Sequence, residues 1–271
     1  MIIDIHTHLY EEATYAQYRA QAGDRVRMIF TIYHWSTHDA ADQVLPVDFD
    51  RVHAFVRSHP DMRLIPAFDM NAAAEPQLER LHVLFADRAV VGVKCYPGYQ
   101  HVYPSDERLV PLAQLCAEFR KPLIFHCGDV YDIEQQAMLL YSHPIHVDVL
   151  AMRVPACPMV IAHFGFPYLL ETANVVSKNA NVYTDCSGTI DSVGGADRIR
   201  PLVQQYARDL DRAFAYFPDV RQKMMFGTDY AGMHTGLHEF DPYVALVEQV
   251  FAPAERPWVF SGLAETLFLH S

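Results

Sequence analysis

Three observations predict that this chain of 271 residues folds as a (β/α)₈ barrel, the TIM-barrel class of α/β protein. Eight short apolar runs recur along the sequence at intervals of about 32 residues. The segments between the runs are longer and amphipathic. The length also suits a fold for which about 250 residues is typical. We therefore expect one domain over residues 1–271, with a helix after each strand.

Each apolar run has the composition of a strand that is buried on both faces. Helical patterns separate the runs; after the fourth run, for example, Leu109, Leu112, Cys116 and Phe119 recur at three- and four-residue spacing. A doubly wound open sheet is the alternative, but it usually has fewer strands, and the chain has no glycine-rich nucleotide-binding turn. The eight runs cover residues 1–4, 27–33, 63–68, 89–96, 122–127, 158–164, 181–186 and 223–229.

Composition argues against several classes of function. The net charge is -12 at pH 7, and no cluster of Lys and Arg forms a footprint for nucleic acid. No apolar run approaches the roughly 20 residues that span a bilayer, and the N-terminus lacks the features of a signal peptide. The 5 cysteines are scattered without the spacing of a zinc ribbon, so we expect reduced thiols. These features are typical of an acidic cytoplasmic enzyme that binds a small molecule.

The first apolar run leads into two histidines that are one residue apart. Alternate side chains of a strand point to the same face, so His6 and His8 should project together, with Asp4 on the same side. Such a pair suits a cation, but other residues must supply the remaining ligands.

Polar side chains also end the later runs, and catalytic groups of a (β/α)₈ barrel come from the C-terminal ends of its strands. A buried imidazole or carboxylate costs free energy unless it is paired or coordinated, so this repetition predicts one convergent site. Neutral imidazoles and a carboxylate are suitable ligands for Zn²⁺ and similar ions, with one position left for water. The strand-end residues are Lys94 and Tyr96, His126, His163, Asp185 and Ser187, and Asp229.

Five stretches in order, namely DIHTHLY, GVKCYPGYQ, PLIFHCGDVY, residues 142–188 and MMFGTDYAG, resemble the amidohydrolase superfamily. The similar branch includes aminocarboxymuconate semialdehyde decarboxylase. The resemblance implies one divalent ion, Zn²⁺ before Mn²⁺, held by His6, His8, His126 and Asp229. It also implies that His163 either supports the ligands from behind or acts as an acid/base residue. The C-terminal FSGLAETLFLH departs from the branch pattern, because it lacks the Asn that often precedes the final helix.

Lys94 has three interpretations. A lysine at the end of an apolar strand must reach water, a carboxylate or a ligand. It can anchor a substrate carboxylate, form a structural ion pair, or correspond to the carboxylated lysine that bridges two metals in some superfamily members. We favour the first interpretation, and a second metal is expected only in the third.

Several aromatic residues also lie near strand ends and favour a substrate with a ring or an unsaturated group. Trp35 and Tyr96 are predicted to bind substrate, and the other candidates are Tyr33, Tyr99, Phe164 and Tyr230. The remaining histidines have no comparable order, so surface or loop positions are expected for them. They include His34, His38, His53, His101, His143, His146, His234, His238 and His270.

The sequence as a whole predicts a metal-dependent hydrolase of a small carboxylated or ring-containing ester, lactone or amide. Asp229 and His163 are the predicted catalytic residues, and a metal-activated water is the nucleophile. The alternative is a metal-dependent, non-oxidative decarboxylase of an aromatic or unsaturated acid. A third possibility is a barrel that binds a small ligand without catalysis. The sequence leaves open whether the protein forms a homodimer.

Overall fold

The computed structural model describes residues 1–38, 44–130, 136–191, 195–232 and 236–269. Within these residues, eight parallel strands alternate with helices in the predicted order. Each predicted run contains or overlaps one strand. The strands are β1 (Ile2–Thr7), β2 (Val26–Ile32), β3 (Met62–Ile65), β4 (Val93–Cys95), β5 (Leu123–Phe125), β6 (Met159–Ile161), β7 (Val182–Asp185) and β8 (Met224–Met225).

The strands follow one another around a closed ring. Continuous pairing gives the orders β1-β2-β3 and β8-β7-β6-β5-β4. At one junction, Ala67 bridges Lys94, and Lys94 N donates to Pro66 O at 2.8 Å. At the other junction, Thr7 bridges Tyr230, and Ile5 N donates to Phe226 O at 3.2 Å. The predicted (β/α)₈ architecture is therefore confirmed, with all eight C-terminal strand ends at one mouth.

A helix follows each of the eight strands, and one more packs at the C-terminus. Asp48 begins the second helix by accepting a hydrogen bond from Arg51 N at 3.1 Å. None of the helices in the described ranges is long and apolar enough to cross a membrane. The helices are α1 (Glu12–Ala22), α2 (Phe49–Ser58), α3 (Ala74–Leu84), α4 (Val110–Phe119), α5 (Ile145–Arg153), α6 (Leu169–Lys178), α7 (Ala196–Tyr216), α8 (Asp241–Val250) and α9 (Leu263–Phe268).

Shorter elements lie in the connections. The segments Ser36–His38 and Val44–Pro46 pair as an antiparallel hairpin that the sequence did not predict. One-turn helices cover Pro97–Gln100 and Leu139–Ser142, and a π-helical turn covers Trp258–Gly262. The 3₁₀ turns are Gly23–Arg25, Glu107–Leu109, Ala162–Gly165 and Pro218–Lys223.

The apolar core has two parts. The larger cluster joins the strands to the surrounding helices. The smaller cluster contains alternate strand residues, such as Ile3 and Ile5 of β1, and packs against Phe268 of α9. Because alternate residues of barrel strands face inward, this second cluster fills the interior. The interior of the barrel is thus packed with apolar side chains.

Candidate metal centre

Three of the four predicted ligands meet at the mouth of the barrel. Asp229 Oδ1 lies 3.1 Å from His8 Nε2 and 3.3 Å from His6 Nε2. The ligand atoms of these residues all lie within 4.8 Å of one another. The backbone contributes to this arrangement, because Asp229 N donates to His6 O at 2.7 Å.

The hydrogen bonds of His8 determine which ring nitrogen faces this cluster. Nδ1 lies 2.9 Å from the carbonyl oxygen of Ile32, which can only accept, so Nδ1 carries the proton. Tyr10 OH lies at the same 2.9 Å from Nδ1 and itself donates to Ile32 O. Nε2 is thereby turned toward Asp229 Oδ1, 3.1 Å away.

His6 is oriented in the same way from the opposite side. Its Nδ1 lies 3.1 Å from Asp185 Oδ2 and 3.0 Å from Ser187 Oγ. An ionised carboxylate only accepts, so Nδ1 is the protonated nitrogen and Nε2 presents a lone pair. Lys94 Nζ lies 3.3 Å from that Nε2.

His126 and His163 face each other through one ring nitrogen each, and each of these nitrogens presents a lone pair. Nε2 of His126 lies 2.8 Å from Asp129 O, and Nδ1 of His163 lies 3.2 Å from Ser187 O and 3.0 Å from its Oγ. Both contacts to carbonyl oxygens require a ring N–H. The remaining nitrogens, His126 Nδ1 and His163 Nε2, are 3.2 Å apart and have no proton to share. Two facing acceptors repel each other unless a cation lies close to both.

Burial keeps these rings neutral. It lowers the pKa of His6 to about 4, with a further contribution from the Lys94 ammonium. Burial likewise lowers the pKa of His163 to about 3 and that of His126 well below its usual value. The pKa of Asp229 lies below its usual range, although burial opposes this shift. Neutral imidazoles and an ionised carboxylate are the forms that bind metal ions.

We call the five inward-facing atoms the acceptor centre: His6 Nε2, His8 Nε2, His126 Nδ1, His163 Nε2 and Asp229 Oδ1. Asp229 Oδ1 is buried and faces the Nε2 atoms of His8 and His6. Lys94 donates to His6 Nε2, and the facing nitrogens of His126 and His163 have no proton between them. A set of acceptors with so few protons fits a cation, so the donor set is that of a metal site.

A second group of potential ligands, His6, His163 and Asp185, also lies within 4.8 Å. The carboxylate of this group is already occupied by hydrogen bonds. Asp185 Oδ1 accepts from His163 N at 2.9 Å, Ser187 N at 3.0 Å and Ser187 Oγ at 2.6 Å. This group therefore lies behind the acceptor centre and supports two of its histidines.

Asp4 does not join the cluster, although strict alternation along β1 places it on the face of His6 and His8. Its carboxylate accepts hydrogen bonds from Thr228 Oγ1 at 2.7 Å and from Tyr18 OH of α1 at 2.8 Å. The reason is a shift in the pairing register of β1 and β2 between Asp4 and Thr7. Asp4 instead links β1 to the residues after β8.

Lys94 is fully buried beside the acceptor centre. Among the described residues, no carboxylate oxygen lies within 4 Å of its Nζ, so the structural ion pair is not seen there. Burial lowers the pKa of Lys94 to about 8, which leaves the ammonium the main form at pH 7. The charge lies 5.5 Å from the centre of the Tyr96 ring.

An aromatic wall, defined as His34, Trp35, Tyr96 and Tyr99, borders this ammonium and reaches His126. His34 stacks on Trp35 with ring centres 4.4 Å apart, and Tyr99 meets His126 edge-on at 5.2 Å. Trp35 and Tyr96, which the sequence predicts to bind substrate, lie in this wall, and His34 joins them although only a surface or loop position was expected.

The other aromatic candidates pack away from the wall. Tyr33 packs on Phe49 at 5.1 Å, Phe164 on Phe214 at 5.9 Å and Tyr230 on Tyr18 at 5.2 Å.

Other histidines lie outside the acceptor centre. His53 pairs with Asp87, and His59 pairs with Glu12. His234 and His270 lie outside the described residues, as does the side chain of His38.

A family model described as amidohydrolase matches residues 3–269. The chain belongs to the amidohydrolase family. This confirms the resemblance seen in the sequence motifs. No curated protein matches the sequence in a separate search.

Solved structures similar to this amidohydrolase share its fold at low identity. An uncharacterised TIM-barrel protein from Bordetella bronchiseptica has a TM-score of 0.65 at 18% identity, over 98% of this chain and 97% of that one. An amidohydrolase from Burkholderia multivorans, solved with bound zinc, gives 0.61 at 16%, over 97% and 89%. The 2,6-dihydroxybenzoate decarboxylase from Rhizobium gives 0.63 at 13%, over 96% and 89%.

The sequence identified Asp185 and Ser187 as strand-end residues but assigned them no role. Gly188 of this amidohydrolase was not identified at all. Gly188 has a φ of +72°, and a Cβ added there would lie 2.4 Å from His163 Nδ1 and 3.0 Å from Asp229 Oδ2. Only glycine permits this approach of the backbone to both residues. The available signal was the stretch DCSG at the end of β7, where a glycine follows three buried residues.

We expect Gly188→Ala to displace His163 and Asp229 and to weaken metal binding, because the new methyl group overlaps the His163 ring and crowds the carboxylate of Asp229, a predicted ligand. Gly195→Ala is the matched control, since Gly195 has a similar φ of +76° but nothing within 4 Å of an added Cβ. Both variants should lose about 1–2 kcal/mol of stability from the left-handed backbone alone. Urea unfolding and zinc titration of both variants measure the two effects. Equal zinc affinity in both would contradict the assigned role of Gly188.

Proposed function

We propose that this amidohydrolase is a metal-dependent hydrolase of a small carboxylated or ring-containing ester, lactone or amide. The observation that carries the proposal is the acceptor centre with the buried ammonium of Lys94 beside it. Within the described ranges, no carboxylate oxygen lies within 4 Å of that ammonium. A divalent ion complements the centre. A substrate carboxylate complements Lys94.

The proposed ligands are His6, His8, His126 and Asp229, and the proposed ion is Zn²⁺. The zinc bound to the Burkholderia multivorans amidohydrolase supports this choice of ion. At this site a divalent ion supplies Lewis acidity toward a carbonyl oxygen and toward water. We favour one ion, because Lys94 as a free ammonium complements a substrate carboxylate, whereas a carboxylated Lys94 would be needed to bridge a second ion.

Asp229 and His163 are the proposed proton-transfer residues. Asp229 is ionised and can accept a proton from the attacking water. His163 presents a lone pair at Nε2, while its Nδ1–H is bonded to Ser187. It can therefore accept a proton at Nε2 and return it to the leaving group. A direct oxyanion role is less well supported, because that role requires a donor at Nε2 from the start.

The aromatic wall supports a planar or cyclic substrate. Trp35 and Tyr96 meet edge-on with ring centres 5.6 Å apart, and the Tyr96 ring lies beneath the Lys94 ammonium. A ring that packs on this wall would have its carboxylate within reach of Lys94 and its reactive carbonyl toward the centre.

Decarboxylation of an aromatic or unsaturated acid is the second candidate. It is favoured by the fold-wide similarity to the 2,6-dihydroxybenzoate decarboxylase from Rhizobium. The same ligands and the same lysine would hold the acid, but a proton would have to be delivered to carbon. The two reactions release different products, so one experiment separates them.

The test combines metal analysis with a panel of lactones, amides and aromatic acids, following both ring opening and CO₂ release. The wild type should bind one zinc ion and open a ring or cleave an amide without releasing CO₂. The double variant with His6→Ala and His8→Ala should lose stoichiometric zinc, because two neutral nitrogen ligands are removed. Exclusive CO₂ release would replace the hydrolase by the decarboxylase, and full zinc content in the double variant would remove the proposed site.

Lys94→Met should raise KM for a carboxylated substrate by roughly tenfold to a hundredfold, since a charge-assisted hydrogen bond is lost. Zinc content should stay at one equivalent. Lys121→Met is the matched control, because Lys121 is partly buried and bonds Val90 O, outside the acceptor centre and the aromatic wall. An unchanged KM in Lys94→Met, or two zinc ions with added mass on Lys94 in the wild type, would contradict the anchor.

His163→Asn should keep the zinc but lower kcat by about 10² to 10⁴, the scale of a general acid/base contribution. His126→Asn, the same change in the facing histidine, should lower zinc content and activity together. Zinc content and kcat are measured for both proteins after identical purification. Equal zinc loss in the two variants would make His163 a ligand. Full activity of His163→Asn would leave His163 without a proton-transfer role.

A further inference from the structure

Asp185, at the end of β7, is the carboxylate on which two histidines of the acceptor centre depend. It is fully buried and receives four donors. Oδ2 faces His6 Nδ1 at 3.1 Å. Oδ1 accepts from His163 N at 2.9 Å, and from N and Oγ of Ser187 at 3.0 and 2.6 Å.

This environment requires acceptors at both oxygens. An ionised carboxylate provides them, since neither of its oxygens carries a proton. An asparagine does not match these donors as they stand. Its amide N–H group would meet either the donors of His163 and Ser187 or His6 Nδ1–H, and in the second orientation His6 must move its proton to Nε2.

The two oxygens act on different parts of the centre. Oδ2 keeps the proton of His6 on Nδ1, so that the Nε2 lone pair faces Asp229 and Lys94. Oδ1 fixes the backbone of His163 by accepting a hydrogen bond from its amide. Oδ1 also accepts a hydrogen bond from the hydroxyl group of Ser187. The Ser187 oxygen then has lone pairs for His163 Nδ1–H, 3.0 Å away.

We propose that Asp185 is a positioning residue that sets the tautomer of His6 and the orientation of His163. It does not touch the acceptor atoms of the centre and acts through the two rings. The consequence for zinc affinity rests on the proposed metal site, whereas the tautomer does not.

The test measures the tautomer of His6 by nitrogen-15 NMR of the full chain before zinc is added, with the signal assigned from the spectrum of His6→Gln. The wild type should show the proton on Nδ1, and Asp185→Asn should move it to Nε2. Asp4→Asn is the control, because Asp4 is an equally buried carboxylate that contacts only the backbone of His6. Ser187→Ala should keep the Nδ1 proton, since the carboxylate remains.

Three outcomes would overturn the proposal: an Nε2–H tautomer in the wild type, an unchanged tautomer in folded Asp185→Asn, or a moved proton in Ser187→Ala. If Asp185→Asn does not fold, the wild-type and Ser187→Ala spectra still decide. Zinc titration is the second measurement, and Asp185→Asn should raise the zinc dissociation constant about 10- to 100-fold. A wild type that binds no zinc would defeat the proposed function, while the tautomer would still support or refute the role of Asp185.

Discussion

The organisation of this site depends on one constraint: each imidazole of the centre is protonated on its outer nitrogen, because that nitrogen faces a group that can only accept. Ile32 O supplies the acceptor for His8, Asp129 O for His126 and Asp185 for His6. The inner nitrogens of His6, His126 and His163 then present lone pairs toward the middle of the site. Ile32 belongs to β2 and Asp185 to β7, so the ring of parallel strands orients His8 and His6, whereas Asp129 follows His126 in the loop after β5.

The same constraint accounts for the unusual backbone at the mouth. His163 has a φ of 61° and Asp229 a φ of 64°, left-handed values that cost roughly 1–2 kcal/mol each for a residue with a side chain. Each is stabilised by a hydrogen bond from its own amide, to Asp185 and to His6 O respectively. Strain of this kind persists where surrounding contacts determine the geometry, as is common at functional sites.

The strand positions and the members of the site could be predicted from the sequence, because buried parallel strands are continuous apolar runs and their polar ends share one mouth. His6, His8 and Asp229 meet as expected. The facing of His126 and His163, and the dependence of two rings on Asp185, could not be predicted, since both arise from hydrogen bonds between strands far apart in sequence. The register shift that separates Asp4 from the histidines is likewise invisible to strict alternation.

Charge balance relates the proposed ion to the proposed substrate. Asp185 and Asp229 are ionised, the buried rings are neutral, and Lys94 is cationic, so two negative charges and one positive charge leave a net charge of minus one. A divalent ion changes the net charge to plus one, and a substrate carboxylate then restores neutrality, which a buried site favours. Binding of ion and acid should therefore be cooperative. This charge balance suits hydrolysis and decarboxylation equally, but the two reactions require different protonation states of His163. His163 presents a lone pair, as a residue that receives a proton from water must, whereas delivery of a proton to carbon requires a group that is protonated at the outset. The hydrogen bonds between Ser187 and His163 thus favour hydrolysis as the first reaction to test.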